Sequence, residues 1–270
     1  MKSNTGLVFG GGGARCFAHL GFLDRLKEEG IDFDCVVGSS TGALIAALAA
    51  NNIRTEEIKK VFYERKTMVR WATPKFPVRS FMKQDPINYI LGRLLKNDRI
   101  EKSKKRLCIV ATDFSNGKQV IFNKGSIKKA VMASMAFPGI YAAVKINKRD
   151  YVDGGISNNI PADVCREITG NKGAVISSSL ELNFNEYSDI KNPFAAMHRA
   201  IYLPTLLKRS EIVKKYSDVV VEHFKNESFN FNNWAGIGRF YSREAMENYY
   251  NKGKKQTEKK INEIKAAVWL

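Results

Sequence analysis

The sequence predicts an α/β fold with a mostly parallel central sheet, and two observations lead to that prediction. Residues 7–50 alternate strand, helix, strand and helix, and both strands end in glycine-containing turns, at 10–13 and 38–42. A strand–helix–strand unit is nearly always a right-handed parallel crossover. Both turns should therefore emerge at the carboxyl ends of neighbouring strands, which is the edge where open α/β sheets bind ligands.

Apolar spacing defines the elements of the first quarter of the chain. They are strand 7–9, helix 14–29, strand 33–37, helix 43–50 and helix 53–66. Helix 14–29 carries apolar residues at a spacing of three and ends at Gly30. Helix 53–66 is amphipathic, and we expect Thr55 to cap it.

The pattern becomes irregular around residues 67–90, where prolines alternate with aromatic residues. We expect this segment to form a lid beside a site, or else an ordinary packed connection. The elements predicted after it are strand 107–113, strand 119–122 beyond an Asn-Gly turn, a helix from Ser126 to Ala136, a hairpin of strands 144–146 and 151–152, strands 173–180 and 218–222, helical stretches near 193–215, and helix 243–270. Since no linker or repeat interrupts them, we expect residues 1–270 to form one domain.

The chain is strongly basic, with 44 Lys and Arg against 27 Asp and Glu and a net charge of +17. Such a charge attracts nucleic acid or an anionic membrane surface, although a lysine-rich genome gives the same excess. A basic nucleic-acid-binding module remains an alternative, but the lysines lack the interleaved aromatic residues that base stacking requires. The lysine-rich last helix is expected to have a solvated face, with membrane contact as the other possibility.

Compartment and cofactors also follow from the sequence. The apolar runs are shorter than the roughly 20 residues of a membrane span, and the first strand begins too early for a signal peptide. We therefore expect a cytoplasmic protein, with peripheral contact at the inner face of the membrane. The histidines are not clustered and no Cys-x-x-Cys pair occurs, so we expect no metal, no cofactor and four reduced structural thiols: Cys16, Cys35, Cys108 and Cys165.

Ser40 is the candidate nucleophile. It lies at the centre of a Gly-x-Ser-x-Gly motif, between a β-branched strand and an unbroken apolar helix. A serine at such a turn has a strained backbone, which the small residues Gly38 and Gly42 permit, and its Oγ stands exposed at the start of the helix. The motif itself is short, so the strand–turn–helix context carries the prediction.

The glycine loop 10–13 should lie beside Ser40. Glycines at the start of a helix leave backbone N–H groups pointing outward, and the helix dipole adds positive potential, so the loop suits an oxyanion hole. A dinucleotide fingerprint would need a glycine where Arg15 or Cys16 stands, and a phosphate loop would need Gly-Lys-Ser/Thr. A merely tight turn is the remaining alternative.

A third motif follows the second hairpin. Asp153 stands at the end of a strand and is followed by Gly154 and Gly155, which keep the backbone thin. An aspartate in that position can reach deep into a neighbouring loop.

Taken in order, these motifs resemble the patatin-like phospholipase family, in its bacterial branch. The motifs are Gly11 to Arg15 with His19 and Gly21 behind it, Gly38 to Gly42, and Asp153 to Gly155. The likeness continues through Ala133-Ser134-x-Ala136-x-Pro138 and Asn159-x-Pro161, and it spans roughly residues 6–165. The resemblance implies a three-layer fold, with helices on both faces of the sheet.

The resemblance also implies a lipid acyl hydrolase that cleaves ester-linked fatty acids of phospholipids through an acyl-enzyme, without a catalytic histidine. Ser40 would be the nucleophile and Asp153 the base. Backbone amides around Gly11, Gly12 and Gly13 would hold the oxyanion, with Arg15 on the same loop. The departure from the family pattern is Cys16, which stands where the family usually has glycine.

Two mechanistic alternatives remain open. An aspartate with an ordinary pKa is a poor base for serine, so the dyad requires burial to raise that pKa or an oxyanion hole that lowers most of the barrier. His198 and His223 follow Asp153 in the order of a Ser-Asp-His triad, and His223 is the better candidate. His19 is expected to be a structural hydrogen-bonding residue. The same serine also suits an acyltransferase, and the oligomeric state is left open.

Overall fold

A computed structural model of the chain describes residues 4–64, 85–182, 196, 199–201, 203, 211–225, 227 and 242–269. Within these residues the strands form one eight-stranded sheet, and helices pack on both of its faces. The predicted α/β class, with its three layers, is confirmed.

The sheet has a body of five parallel strands and three further antiparallel strands. Its eight strands are β1 (Thr5–Phe9), β2 (Cys35–Ser39), β3 (Arg106–Asp113), β4 (Gln119–Phe122), β5 (Val144–Ile146), β6 (Arg149–Val152), β7 (Ala174–Leu182) and β8 (Val219–Phe224). Their order is β5-β6-β3-β2-β1-β7-β8, with β4 also paired to β3. Strands β3, β2, β1, β7 and β8 pair in parallel, whereas β4, β5 and β6 pair antiparallel. Both predicted hairpins are therefore present.

The helices are α1 (Phe17–Glu28), α2 (Thr41–Ala50), α3 (Thr55–Tyr63), α4 (Asp85–Leu94), α5 (Ile127–Ser134), α6 (Ala162–Thr169) and α7 (Arg243–Trp269). Successive strand residues point to opposite faces, so Leu7 and Phe9 pack into the larger cluster with α1, α2, α5 and α7, while Val8 packs with α6. Both faces are thus buried, as parallel sheets require. Among the described helices, none combines the length and apolarity needed to cross a bilayer.

Helix α7 packs along α1. A Cβ atom added at Gly21 would lie 2.1 Å from the carbonyl oxygen of Tyr250, and one added at Gly253 would lie 2.1 Å from that of Ala18. The two backbones therefore approach each other at glycines. The side chains that α7 buries are Met246, Thr257, Ile261, Ile264 and Val268.

The lysines of α7 are partly paired with α1. The ammonium group of Lys254 lies 2.5 Å from a carboxylate oxygen of Glu28, and Lys265 forms an ion pair with Glu29. The prediction for the last helix recognised its solvated face, but it missed the buried face that makes this helix part of the core.

Three other predictions about local structure need correction or restriction. Thr55 is the first residue of α3 and does not cap it, because its hydroxyl donates to the Asp24 carboxylate. Residues 67–84 of the predicted lid lie outside the described part of the chain, whereas its last residues, 85–90, belong to helix α4 and are not irregular. Of the helical stretches near 193–215, residues 211–215 are helical in a continuous described segment. Ser126 does cap α5, since its Oγ accepts the N–H of Lys129.

Candidate active site

Ser40 joins β2 to α2 and has a strained backbone, with φ 52° and ψ −130°. Positive φ is uncommon for a residue with a side chain. The neighbouring glycines make this turn possible: a Cβ at Gly38 would lie 2.6 Å from Ala43 Cα, and a Cβ at Gly42 would lie 2.2 Å from the carbonyl oxygen of Phe9. The structure agrees with the predicted need for small flanking residues.

The pairing register explains how Asp153 reaches Ser40. Strand β2 pairs with β3 up to Val110, and β6 pairs with β3 at Thr112 and Asp113. Because Thr112 also pairs with β4, strands β4 and β6 lie on opposite edges of β3. Strand β6 therefore continues the edge occupied by β2, just beyond the end of β2. The residue after β6 then faces the residue after β2.

Ser40 and Asp153 are in direct contact. Ser40 Oγ donates to Asp153 Oδ2 at 2.7 Å, and the N–H of Gly155 donates to Oδ1 at 2.7 Å. The Asp153 side chain is buried, with the residue 2% exposed. Burial raises the pKa of Asp153 to about 7, although the hydrogen bonds from Ser40 and Gly155 act in the opposite direction. A carboxylate with this pKa is suited to accept a proton near neutral pH.

Gly154 allows β3 to lie close to the Asp153 turn. A Cβ at this position would lie 2.2 Å from the carbonyl oxygen of Val110 and 2.7 Å from Ser39 Oγ. The predicted need for a thin backbone after Asp153 has this steric reason.

The glycine loop lies directly against Ser40, because a Cβ at Gly11 would lie 2.7 Å from Ser40 Cβ. Its amides are only partly available, however. The Gly11 N–H donates to the Asn159 carbonyl at 3.3 Å, and the Gly12 N–H donates to Thr41 Oγ1 at 3.1 Å. Gly13 comes next, with φ 62° and open space where its side chain would be. The structure therefore brings the predicted loop to the site but engages two of its three predicted donors.

Arg15 lies on the same loop and bonds to it. Its Nε donates to the carbonyl oxygen of Gly12 at 3.0 Å, and its guanidinium group lies 5.6 Å from the centre of the Phe224 ring. Arg15 thus holds the glycine loop through the Gly12 carbonyl. Cys16 is buried in the large apolar cluster, where burial raises its thiol pKa to about 12. A protonated thiol packs there in place of the glycine usual in the family.

Two residues that hold the site together were not predicted to have a role of their own. Ser134 Oγ accepts the N–H of Ser40 at 2.8 Å and donates to the Val110 carbonyl, which fixes the strained turn. Asn159 holds Gly11 on both sides, since its carbonyl accepts the Gly11 N–H and its Nδ2 donates to the Gly11 carbonyl at 3.3 Å. In the sequence, these two residues were marked only by the motifs that contain them, Ala133-Ser134-x-Ala136-x-Pro138 and Asn159-x-Pro161.

Two of the three histidines lie in a buried hydrogen-bonded chain. His19 Nε2 faces the Gly10 carbonyl at 2.8 Å, and since a carbonyl only accepts, this nitrogen carries the proton. His19 Nδ1 then accepts from Ser178 Oγ at 2.7 Å, and His223 Nε2 donates to the same oxygen at 2.8 Å. Burial lowers the pKa of His19 to about 4 and also lowers that of His223.

These contacts bear on the triad alternative. The structure places His223 on Ser178 and places Asp153 on Ser40. His19 has the structural role predicted for it, and His198 lies outside the described residues.

The described residues include no group of three or more His, Cys, Asp or Glu side chains that could hold a metal ion. All four cysteines are buried free thiols.

Comparison with known proteins identifies the family. A model of the patatin-like phospholipase family matches residues 7–166. The chain belongs to this family. An uncharacterised NTE family protein of Mycobacterium tuberculosis is 30% identical over 172 residues, which cover 62% of this chain and 29% of the relative. Patatin-like phospholipase domain-containing protein 6 of Mus musculus is 32% identical over 201 residues, which cover 70% of this chain and 15% of the relative.

This patatin-like chain therefore spans less than a third of the length of these curated relatives. The crystal structure of VipD from Legionella pneumophila covers 95% of this chain and 67% of its own, at 15% identity and a TM-score of 0.49. The family match confirms the resemblance read from the three motifs.

Proposed function

We propose that the chain is a serine acyl hydrolase that cleaves ester-linked fatty acids of phospholipids or lysophospholipids through a dyad of Ser40 and Asp153. The observation that carries this proposal is the 2.7 Å hydrogen bond from the strained serine to a buried carboxylate. Membership of the patatin-like phospholipase family supports lipid as the substrate class. We also propose that residues 1–270 act as one domain, since α7 packs against α1 at the far end of the chain.

The geometry supports a two-step reaction. Asp153 Oδ2 accepts the hydroxyl proton as Ser40 Oγ forms a bond to the ester carbonyl carbon. The tetrahedral intermediate then collapses, the proton passes from Asp153 to the leaving alcohol, and an acyl-enzyme remains. In the second step Asp153 takes a proton from water, the hydroxide adds to the acyl carbon, and Ser40 leaves with the proton. Asp153 must be unprotonated at the start of each step.

The oxyanion of each intermediate requires donors close to Ser40. We assign the first to the Gly13 N–H, which opens the turn that leads into α1. The second is the Gly12 N–H, which becomes available when the Thr41 hydroxyl turns away from it. Each such donor contributes roughly 100- to 1,000-fold to the rate in comparable sites.

Covalent labelling tests this proposal. A fluorophosphonate probe should modify Ser40, as mapped by mass spectrometry of the full chain, and Ser40→Ala should abolish both labelling and hydrolysis of a nitrophenyl acyl ester. Ser39→Ala is the matched control, because the Ser39 hydroxyl is buried and has no hydrogen-bond partner in the described structure. Turnover that persists in Ser40→Ala, or a label on another residue, would refute the assignment.

Two further variants separate the open mechanisms. Asp153→Asn should remove hydrolysis, whereas His223→Ala should retain it in the folded protein; the reverse result would favour the triad. Product analysis with an added alcohol acceptor distinguishes the two fates of the acyl group, since a hydrolase releases free fatty acid and an acyltransferase forms a new ester.

A further inference from the structure

The β5–β6 hairpin projects beyond the edge of the sheet that carries Ser40. Val152 pairs with Thr112, whereas the pairing of β2 with β3 ends at Val110. Because β6 runs antiparallel to β3, its earlier residues lie progressively farther out. At about 3.3 Å per residue, Lys148 in the turn stands roughly 13 Å beyond Val152. The tip of this hairpin is therefore the part of β5–β6 that lies farthest outward from Ser40.

The turn between β3 and β4 stands beside this hairpin. The N–H of Phe114 donates to the carbonyl of Asp150 at 2.9 Å, which continues the pairing of β3 with β6 outward. The Phe114 side chain is 62% exposed. A large aromatic side chain thus lies on the surface at the same edge of the sheet.

The charged side chains at this edge are mostly basic. Lys118, Lys145, Lys148 and Arg149 are exposed here, and the acidic residues beside them are Asp113 and Asp150. On the hairpin, the side chains of Lys145 and Arg149 are 64% and 70% exposed. The ion pair of Lys145 with Asp150, at 3.0 Å, joins two exposed side chains and is therefore weak. The guanidinium group of Arg149 is exposed and lies 3.4 Å from the buried carboxylate of Asp113.

We propose that this prong docks the protein on an anionic lipid bilayer. The prong consists of Phe114, Lys118, Lys145, Lys148 and Arg149. The cationic side chains contact lipid headgroups, and Phe114 enters the interface between headgroups and acyl chains, where aromatic side chains are favourably placed. The docked orientation turns the carboxyl edge of the sheet, with Ser40, toward the membrane.

This inference rests on the proposed function, because a lipid hydrolase must meet its substrate at the membrane surface. Charge alone would also fit nucleic acid. A single exposed aromatic ring on a hairpin tip is a poor platform for stacking successive bases, so a bilayer is the better match.

The test is sedimentation of the full-length chain with phosphatidylcholine vesicles, prepared with and without phosphatidylglycerol. The prong variant replaces three exposed cationic residues at the hairpin: Lys145→Ala, Lys148→Ala and Arg149→Ala. The control variant removes the same charge from exposed lysines at the opposite, amino edge of the sheet: Lys102→Ala, Lys104→Ala and Lys172→Ala. Phe114→Ser removes the aromatic ring alone.

A basic residue at a membrane surface strengthens binding about fivefold, so the prong variant should bind anionic vesicles about 100-fold more weakly than wild type. The control variant should change binding less than about threefold, because its lysines face away from the docked surface. Phe114→Ser should weaken binding about tenfold. All these variants should hydrolyse a soluble nitrophenyl ester at the wild-type rate, since none of the substituted residues contacts Ser40 or Asp153 in the described structure.

Equal losses in the prong and control variants would overturn the proposal, as would equal binding to neutral and anionic vesicles. A prong variant that loses DNA binding in a gel shift but retains vesicle binding would indicate nucleic acid instead. If wild type binds anionic vesicles through the prong yet hydrolyses no ester, the docking surface stands and the proposed function fails.

Discussion

Glycines permit close backbone contacts in two regions of this molecule, but they serve different purposes there. At the edge of the sheet that carries the proposed dyad, which we call the catalytic edge, Gly11 and Gly42 bring the glycine loop against Ser40, whose own backbone is strained. Between α1 and α7, Gly21 and Gly253 bring together two regular helices. The contact of the glycine loop with Ser40 positions the proposed reactive groups, whereas the contact between α1 and α7 buries the surfaces of the two helices.

The two regions also differ in their effect on stability. The catalytic edge contains a buried carboxyl group and a positive φ, each of which is unfavourable on its own. The α1–α7 contact adds apolar burial at Met246, Ile261 and Ile264 without such strain. We therefore expect substitutions at the first region to change activity, and those at the second to change stability.

The largest effect is expected at Gly11. In Gly11→Ala the new Cβ would lie 2.7 Å from Ser40 Cβ and 2.5 Å from Asn159 Oδ1, so the loop must move away from the nucleophile. We expect kcat/KM to fall about 100- to 1,000-fold. The unfolding free energy should change by less than about 1 kcal/mol, because the clash with Asn159 involves only its side chain. Ester hydrolysis and urea denaturation measure the two quantities. A loss of activity that merely matched a loss of folded protein would contradict the comparison.

The next effect concerns Asp153 and pH. Because burial raises its pKa to about 7, the folded protein binds a proton that the unfolded chain releases near pH 4. Stability should therefore decrease as pH rises from about 4 to about 7, by at most about 4 kcal/mol. Activity should rise over the upper part of that range, because the base must be unprotonated.

Asp153→Asn tests both statements. The variant should be inactive. Its unfolding free energy should not decrease between about pH 4 and pH 7, so at pH 8 the variant should be more stable than the wild type. Urea denaturation at pH 5 and pH 8 provides the comparison. If the wild type and the variant showed the same change with pH, Asp153 would not be the group responsible.

At the helix contact we expect a slightly smaller effect. Gly21→Ala places a Cβ 2.1 Å from the Tyr250 carbonyl and should destabilise the fold by about 3 kcal/mol. Gly92→Ala is the control: it lies in α4, where a new Cβ would meet only Lys128 Nζ at 3.9 Å, so it should stabilise by up to about 1 kcal/mol. Activity per folded molecule should stay near wild type in both variants. A selective loss of turnover in Gly21→Ala would show that the two regions are coupled.

The smallest effect should come from Ser178, whose hydroxyl connects α1 to β8 through two histidines. Ser178→Ala leaves His19 Nδ1 and His223 Nε2 without this partner, which should destabilise the fold by about 2 kcal/mol. The neighbouring Ser177 contacts only the Ser217 hydroxyl among the side-chain bonds described, so Ser177→Ala should cost less than about 1 kcal/mol. If thermal denaturation showed the same loss of stability in Ser178→Ala and Ser177→Ala, the hydrogen bonds to the two histidines would make no special contribution to stability.

Local patterns predicted much of the fold. The apolar run after Ser40, the Asn-Gly turn and the Ser126 cap each specify an element through neighbours in sequence, and each element is present. Helix starts were less predictable. Thr55 has the composition of a cap, but the Asp24 carboxylate, 31 positions away, accepts its hydroxyl hydrogen.

The site was predicted in part for a related reason. Motifs pointed to Ser40, Asp153 and the glycine loop, because a nucleophile, its base and an oxyanion hole each require particular residue types at particular spacings. Amide partners were not predictable, since the Gly11 and Gly12 donors are engaged by Asn159 and Thr41 only after the chain folds. The same holds for Arg15, whose bond to the Gly12 carbonyl depends on the folded shape of the loop.

By itself, the sequence determined the order of the elements, the parallel crossover and the residue types of the proposed dyad, because all of these depend on local spacing. The tertiary structure decided the rest. It decided that β6 lies beyond the end of β2 and brings Asp153 to Ser40, that α7 packs on α1, and that His223 pairs with Ser178. These contacts join residues far apart in the chain, so burial and pairing geometry select them.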